Sequence, residues 1–163
     1  MRNLFRLLLT VLICIFCVSA VSAKMLKASI TAVPNYLFGS WRVVSQRIET
    51  DSPMSFKDKG LDLWNLSRDN DVITLSNPFS GASAQIQINS VNKNHIIFSK
   101  TGKYDNKVLS DTVSIKVGKE SFTGTDELRL DTVSDVDGKI IKSETAIYSI
   151  RGEKIAGQSV IGN

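Results

Sequence analysis

The sequence predicts an all-β domain, an antiparallel meander of about eight strands, and three observations carry this prediction. Short segments of alternating polar and apolar residues follow one another along most of the chain, as expected for strands that bury one face. The turn-forming stretches between them span about two to five residues, which joins antiparallel neighbours rather than parallel ones. No long window beyond the N-terminus carries a sustained helical period. Such a meander closes into an up-and-down barrel, which removes exposed strand edges, or folds as a β-sandwich.

Residues 1–23 have the layout of a secretory signal peptide. Arg2 and Arg6 precede an apolar run from Leu7 to Val18, and Val21-Ser22-Ala23 offers the small residues that a signal peptidase reads. A helix that spans a membrane needs about twenty apolar residues, and this run is shorter. The sequence therefore predicts a signal-peptide helix that is cleaved, an exported protein that is periplasmic or secreted, and no membrane span after cleavage.

Cysteine, histidine and charge exclude several classes of function. Both cysteines, Cys14 and Cys17, lie in the signal segment, so the exported part has no thiol, which favours a bacterial envelope over a eukaryotic secretory route. Because His95 is the single histidine, a Cys/His zinc set and a multi-histidine metal centre are excluded, and we expect no metal and no cofactor. Basic residues are spread evenly, which argues against a nucleic-acid partner or a polybasic membrane surface.

The first half of the β domain contains four predicted strands. Residues 24–35 form an N-terminal arm before it, and the domain spans residues 36–163. The first strand is rich in β-branched side chains, and a turn composition at residues 68–71 separates the next two. The fourth alternates strictly, with Ile86 and Ile88 on one face. These strands are predicted over residues 41–48, 61–67, 72–75 and 84–89.

The second half contains four more predicted strands. Residues 92–94 and 104–107 have turn compositions, and Asp137-Gly138 is the pair typical of a type I′ hairpin turn. Alternate residues of the segment Val113–Val117 share one apolar face. These strands are predicted over residues 95–100, 112–117 and 127–131, and from residue 139 to about residue 154.

Gly39-Ser40-Trp41 forms a G-x-W motif at the opening of the first strand. In this position the motif resembles that of the lipocalins and the related fatty-acid-binding proteins. Gly39 would let the entering chain turn tightly under the barrel, and Trp41 would plug its closed end. The resemblance also implies that Arg151, near the end of the last strand, packs across Trp41. The Thr-Asp-Tyr-type motif and the C-terminal helix of typical lipocalins are absent from this sequence.

Asp126 is the candidate polar group of the interior. Alternation places it on the same face as Leu128 and Leu130, so it points inward with them unless a bulge at Gly124 intervenes. A buried carboxylate needs a partner. The candidate partners are Arg42, Arg47 and Arg151. Two interpretations stay open, a polar group at the bottom of a ligand cavity, and a rim residue or structural ion pair.

Large aromatic rings are spread over the other strands. They are Trp64, Phe79, Phe98, Phe122 and Tyr148. An eight-stranded barrel is close to the size at which side chains alone fill the interior or one small ligand fits, so these rings either line a cavity or form a solid core. The candidate ligand-binding residues are Trp64, Phe98, Phe122, Asp126 and Tyr148.

His95 and the segment of residues 135–144 are the remaining candidates for chemistry and for metal binding. His95 follows a turn and has no assignable partner, so it is interpreted as a residue at a strand edge rather than a general base. The stretch from Asp135 to Glu144 fits several places of an EF-hand loop, but Val133 at the first place cannot ligate calcium. A hairpin turn explains this stretch, and no metal site is predicted there.

Two hypotheses of function follow from the sequence. The first is an exported, non-enzymatic binding protein with a lipocalin-like barrel that holds a small apolar or amphipathic ligand or a lipid. The second is a solid-core envelope protein that acts as a protein–protein interaction module. No enzyme is predicted, because no nucleophile or acid–base pair can be assigned. A cavity lined by the rings would favour the first hypothesis, and a packed interior with an exposed apolar patch the second.

Overall fold

The structure is a computed structural model that describes residues 30–156 and 159–161. The predicted signal peptide lies outside the described residues. A short 3-10 helix, Asn35–Leu37, precedes the strands. The strands are β1 (Gly39–Thr50), β2 (Lys59–Asp69), β3 (Val72–Ser76), β4 (Ser83–Asn92), β5 (His95–Tyr104), β6 (Lys107–Val117), β7 (Ser121–Val133), β8 (Ile140–Ala156) and β9 (Ser159–Ile161).

Strands β1 to β8 form one antiparallel meander that closes on itself. Each strand pairs with the next along the chain, and β1 pairs with both β2 and β8. The β1–β2 pairing turns the sheet into a ring, so the structure agrees with the predicted closed meander and not with a sandwich of two separate sheets. The three-residue strand β9 adds a parallel pairing to β2.

Because the strands alternate in direction, the connections fall at two opposite ends of the ring. The end where β1 begins is called the floor here. The other end, where the β1–β2, β3–β4, β5–β6 and β7–β8 connections lie, is called the mouth. Every inner-face residue therefore has a defined height between floor and mouth.

The N-terminal segment seals the floor. Leu37 and Phe38 are buried in the same core as Trp41, and so are Ile30 and Val33 from the described part of the predicted arm. The Trp41 indole N–H donates to the carbonyl of Leu37 at 2.7 Å, which satisfies the polar atom of a fully buried ring. Trp41 thus occupies the closed end, as the G-x-W motif predicts.

Lys154, and not Arg151, lies over Trp41. Its ammonium nitrogen is 4.9 Å from the ring centroid and donates to the carbonyl of Tyr36 at 2.7 Å. Arg151 is exposed on the outer face, so the prediction that it packs across Trp41 is wrong. The physical reason is alternation, since Ile150 and Gly152 point inward and the residue between them must point outward.

Three of the turns contain two residues and use a left-handed backbone at the first position. Asn70, Lys93 and Asp105 have φ between 52° and 56° there. The Asp137-Gly138 pair differs from its prediction, because residues 134–139 form a longer connection in which Gly138 alone has a positive φ. A type I′ turn needs positive φ at both central residues, so a hairpin forms but the predicted turn type is wrong.

Aromatic rings fill the floor half of the interior. Phe122 lies 5.2 Å from Trp41 and 5.7 Å from Trp64 between ring centroids, and Trp64 meets Phe98 edge-on at 6.4 Å. Phe98 and Phe122 are fully enclosed by their neighbours. Phe98 and Phe122, two of the candidate ligand-binding rings, therefore pack against other side chains and do not line an open pocket.

Gly152 allows Phe122 to sit in this stack. A Cβ atom at Gly152 would overlap the Phe122 ring. We expect Gly152→Ala to lower the free energy of unfolding by about 1–3 kcal/mol, as for other overpacked cores, measured by urea denaturation. Gly102→Ala is the matched control, because nothing lies within 4 Å of its added Cβ. Equal stability of the two variants would contradict this packing.

Candidate functional site

The inner face changes from apolar to charged towards the mouth. Asp62 continues the inner row of Trp64 and Leu66 on β2, and Lys100 continues the row of Phe98 on β5. Asp111 on β6 and Asp126 on β7 occupy the corresponding inner positions of the next strands. We call these four residues the polar cluster: Asp62, Lys100, Asp111 and Asp126.

Asp111 is the most buried member of the polar cluster. It is 4% exposed and forms an ion pair with Lys100, its directly opposite neighbour on β5. Its other carboxylate oxygen, Oδ1, is buried and has no hydrogen-bond partner among the described residues. Burial also lowers the pKa of Lys100. An unpaired buried carboxylate oxygen is costly, so this atom is a ready acceptor for a donor that enters the site.

Asp126 points inward, between the inner-face residues Val113 and Tyr148 of the neighbouring strands. Its Oδ1 atom is buried and makes no hydrogen bond in the part of the chain that the structure describes. Burial raises the pKa of this carboxyl from 3.8 to about 6, and the positive charge of Lys100 opposes the rise. The polar cluster therefore contains a second carboxylate with a free acceptor atom.

The predicted arginine partners of Asp126 are engaged elsewhere. Arg42 pairs with Glu153 on the outer face, and Arg151 is exposed on that face too. Arg47 faces inward, but its guanidinium donates to the Phe56 carbonyl and to Asp58 in the β1–β2 connection. That prediction is wrong, and Lys100 is the cation that acts on Asp126.

A pocket of about 230 Å³ opens at the mouth beside the polar cluster. Its apolar wall contains Trp64, Leu75, Ala84 and Leu109. Its polar wall contains Asp62, Lys100 and Asp111. The Trp64 indole N–H donates to Asp62 Oδ2 at 3.2 Å, which fixes this ring between the aromatic core and the pocket. We call this space the mouth pocket, and its two walls are suited to an amphipathic molecule.

Two larger hollows of about 480 and 550 Å³ lie elsewhere. Outward-facing residues such as Thr112, Glu127 and Arg129 line the first, and the second lies at the floor end beside Lys119 and Lys154. Neither is lined by Asp111, whereas the mouth pocket is lined by this buried carboxylate with its unpaired oxygen. The mouth pocket is therefore the stronger candidate in spite of its smaller volume.

Glu144 on β8 holds the β1–β2 connection at the mouth through hydrogen bonds. This inward-facing carboxylate is buried and accepts hydrogen bonds from the Ser52 hydroxyl and, at 2.7 Å, from the Ser55 hydroxyl. These bonds, followed by that of Lys142, lower its pKa to about 2. The Tyr148 hydroxyl donates to the carbonyl of Lys57 at 2.8 Å. The mouth thus has one wall that is held by several specific contacts.

The structure brings only some of the predicted site residues together. Trp64 lines the mouth pocket, while Asp126 and Tyr148 lie on the inner face nearby. Phe98 and Phe122 belong to the solid core beneath. Phe79 is 87% exposed on the β3–β4 connection and lines no interior.

Sequence reasoning missed Lys100 as a site residue and missed Asp111 altogether. Alternation from Phe98 predicts that Lys100 points inward, so that signal was available. Asp111 precedes the predicted start of the sixth strand, and the polar residues around it indicate a turn. The observed strand begins at Lys107, which places Asp111 in the inner row of Val113.

Other site types receive no support from the described residues. In residues 30–156, no three His, Cys, Asp or Glu side chains come together in a group that could hold a metal ion. No helix within the described ranges is long and apolar enough to cross a membrane. His95 is exposed at the start of β5, 2.9 Å from the Ser114 hydroxyl, which agrees with its interpretation as a strand-edge residue. Comparison of the chain with protein-family models, with curated proteins and with solved structures finds no match in any of the three.

Proposed function

We propose that this chain is an exported, non-enzymatic, lipocalin-like protein that binds a small amphipathic molecule at the mouth of its closed sheet. The observation that carries the proposal is the mouth pocket, with Trp64 on one side and the Lys100–Asp111 pair on the other. An apolar wall with a few convergent polar groups is typical of small-molecule sites. The sealed floor supports the proposal, because it leaves one end of the interior for entry.

The volume of the pocket limits the ligand. About 230 Å³ is below the roughly 300–1,000 Å³ of ordinary ligand sites. The ligand is therefore small, or it is held by one end while the rest lies along the mouth. A purely apolar ligand fits less well than an amphipathic one, because it would leave the unpaired oxygen of Asp111 without a donor.

Export is the second part of the proposal, and the sequence of residues 1–23 supports it. The charged start, the short apolar run and the small residues before position 24 have the order of a cleaved signal. A thiol-free domain suits the bacterial envelope, so we propose a periplasmic or secreted location. The partner in this proposal is a small molecule or lipid, and neither nucleic acid nor a cofactor takes part.

One observation favours the alternative, a protein–protein interaction module. Met54, Phe79, Tyr104 and Val136 are large apolar residues with high exposure, and each lies on or beside a different connection at the mouth. Exposed apolar residues that cluster at one end of a domain are typical of a contact surface. In this alternative the rim of the mouth contacts another protein and the pocket is incidental.

Native mass spectrometry of protein purified from its own source tests the proposal directly. We expect a population whose mass exceeds that of the mature chain by one small molecule. A protein that is uniformly of its own mass, and that stays so after incubation with small amphiphiles, would contradict the proposal and favour the interaction module.

Filling the pocket should remove binding of the co-purified molecule. Ala84 lies on the inner face of β4 opposite Leu75 and lines the pocket, so Ala84→Phe would occupy its space. We expect at least about a tenfold loss of affinity by titration calorimetry, equivalent to the loss of one good contact. Gln87→Phe on the exposed outer face of the same strand is the matched control. Equal affinities of the two variants would place the ligand elsewhere.

A further inference from the structure

The polar cluster, of which Asp62, Lys100 and Asp111 line the mouth pocket, has more free acceptors than donors. Asp111 Oδ1 and Asp126 Oδ1 are buried and unpaired within the described chain. Asp111 is the better placed, because 95% of its side chain is buried and it lines the pocket directly. Two acceptors without donors mark a place where a hydrogen-bond donor is needed.

The hydrogen-bond donors near the mouth pocket are already engaged with protein acceptors, or are fewer than the carboxylates around them. The Trp64 indole and the Asn77 amide both donate to Asp62, and the Tyr148 hydroxyl donates to the Lys57 carbonyl. Lys100 is the one ammonium among three carboxylates in the polar cluster, and it pairs with Asp111 through the other oxygen. The inward-facing Arg47 is held by the Phe56 carbonyl and by Asp58.

This arrangement has a consequence for the charge of the ligand. An anionic head group would bring another acceptor-only group to a site that already has an excess of carboxylates. A protonated amine offers three N–H donors and a positive charge, and charge-assisted hydrogen bonds are about twice as strong as neutral ones. The apolar wall of Trp64, Leu75 and Leu109 accommodates the rest of such a molecule.

We infer that the ligand of the mouth pocket is a small cationic amphiphile, an amine with an apolar tail, whose ammonium group donates to the free oxygens of Asp111 and Asp126. This inference rests on the proposed function and adds the chemical class of the ligand. The apolar tail lies on Trp64, and the ammonium end points down towards β6 and β7.

The test compares octylamine, octanol and octanoate, which share one tail and differ in the head group. Titration calorimetry on the mature chain at neutral pH should show octylamine binding about tenfold or more tighter than octanol, as expected for a charge-assisted contact. Octanoate should bind most weakly. Equal affinities, or octanoate binding best, would overturn the inference while leaving the proposed function in place. Absence of binding by all three would contradict the proposed function itself.

Variants locate the recognition. Asp111→Asn and Asp126→Asn should each reduce the preference for octylamine over octanol about tenfold, because each removes a negative charge that attracts the ammonium more than the neutral hydroxyl. Because Asp126→Asn removes a buried charge, it should not unfold the chain even if Asp111→Asn does. Asp105→Asn is the matched control, since this exposed residue lies in a mouth turn outside the pocket. An undiminished preference in Asp126→Asn, or a loss of equal size in Asp105→Asn, would overturn the assignment.

Discussion

Replacing Trp41 with alanine should lower the free energy of unfolding by about 3–5 kcal/mol, the range observed for deletion of buried aromatic rings. Trp41 is fully buried, packs on Phe122 and donates to the Leu37 carbonyl. Its removal would leave a cavity between the N-terminal segment and the ring stack, and would also leave the Leu37 carbonyl without its donor. A loss of this size is a large part of the stability of an ordinary domain.

Urea denaturation of a small set of variants checks the assignment of the floor. Lys154→Ala should cost about 0.5–2 kcal/mol, because it removes the cation over the ring. Arg151→Ala should change stability by less than about 0.5 kcal/mol, as for an ordinary surface residue. A Trp41→Ala variant with near-native stability, or a larger loss in Arg151→Ala than in Lys154→Ala, would contradict this account.

Removing the charge of Asp126 should stabilise the fold at neutral pH by about 2–3 kcal/mol. Burial raises the pKa of this carboxyl from 3.8 to about 6, so the folded state resists ionisation more than the unfolded state does. Each pKa unit corresponds to about 1.4 kcal/mol. Below pH 3.8 the carboxyl is protonated in both states and does not affect the free energy of unfolding of the wild-type chain. As the pH rises from 3.8 to about 6, this free energy falls, and above about 6 it falls no further.

The measurement is the difference in unfolding free energy between Asp126→Asn and wild type at about pH 4, 5 and 7.5. The difference should grow with pH up to about 6 and then level off. Glu144 affects stability in the opposite direction. Its low pKa of about 2 contributes stability that is present above pH 4.5 and is lost in stronger acid. This contribution is the same in Asp126→Asn and wild type, so it cancels in the difference, and the exposed Asp105→Asn variant controls for general charge effects. A flat difference would contradict the inward, buried position of Asp126.

Alternation and turn composition were sufficient to predict the strands and their antiparallel order. Ile86 and Ile88, or Val113 and Val117, bury one face of a sheet, and this period of two is visible in a single sequence. The same rule places Asp126 inside unless a bulge intervenes at Gly124, and the pairing of β6 with β7 has no register shift there. Strand ends were harder, because polar residues such as Asp111 resemble a turn unless their burial is known. The observed strands are accordingly longer than predicted at several ends.

The partners of individual side chains could not be predicted from local patterns. Lys154 meets Trp41 only because the register of β1 against β8 sets them opposite each other, and register is a property of the folded sheet. The resemblance implies Arg151, but this residue lies between the inward-facing Ile150 and Gly152 and so points outward. The longer loop at Asp137-Gly138 likewise depends on where its flanking strands end.

The central claim is that a small amphipathic molecule occupies the mouth pocket, and the two tryptophans of the chain allow a direct test. Trp64 lines the pocket, whereas Trp41 is sealed in the floor. In a nitrogen–proton NMR correlation spectrum, each indole N–H gives its own signal during titration with octylamine or octanol. The account predicts a saturable shift of the Trp64 signal and a stationary Trp41 signal. Two stationary signals, or equal shifts of both, would contradict it.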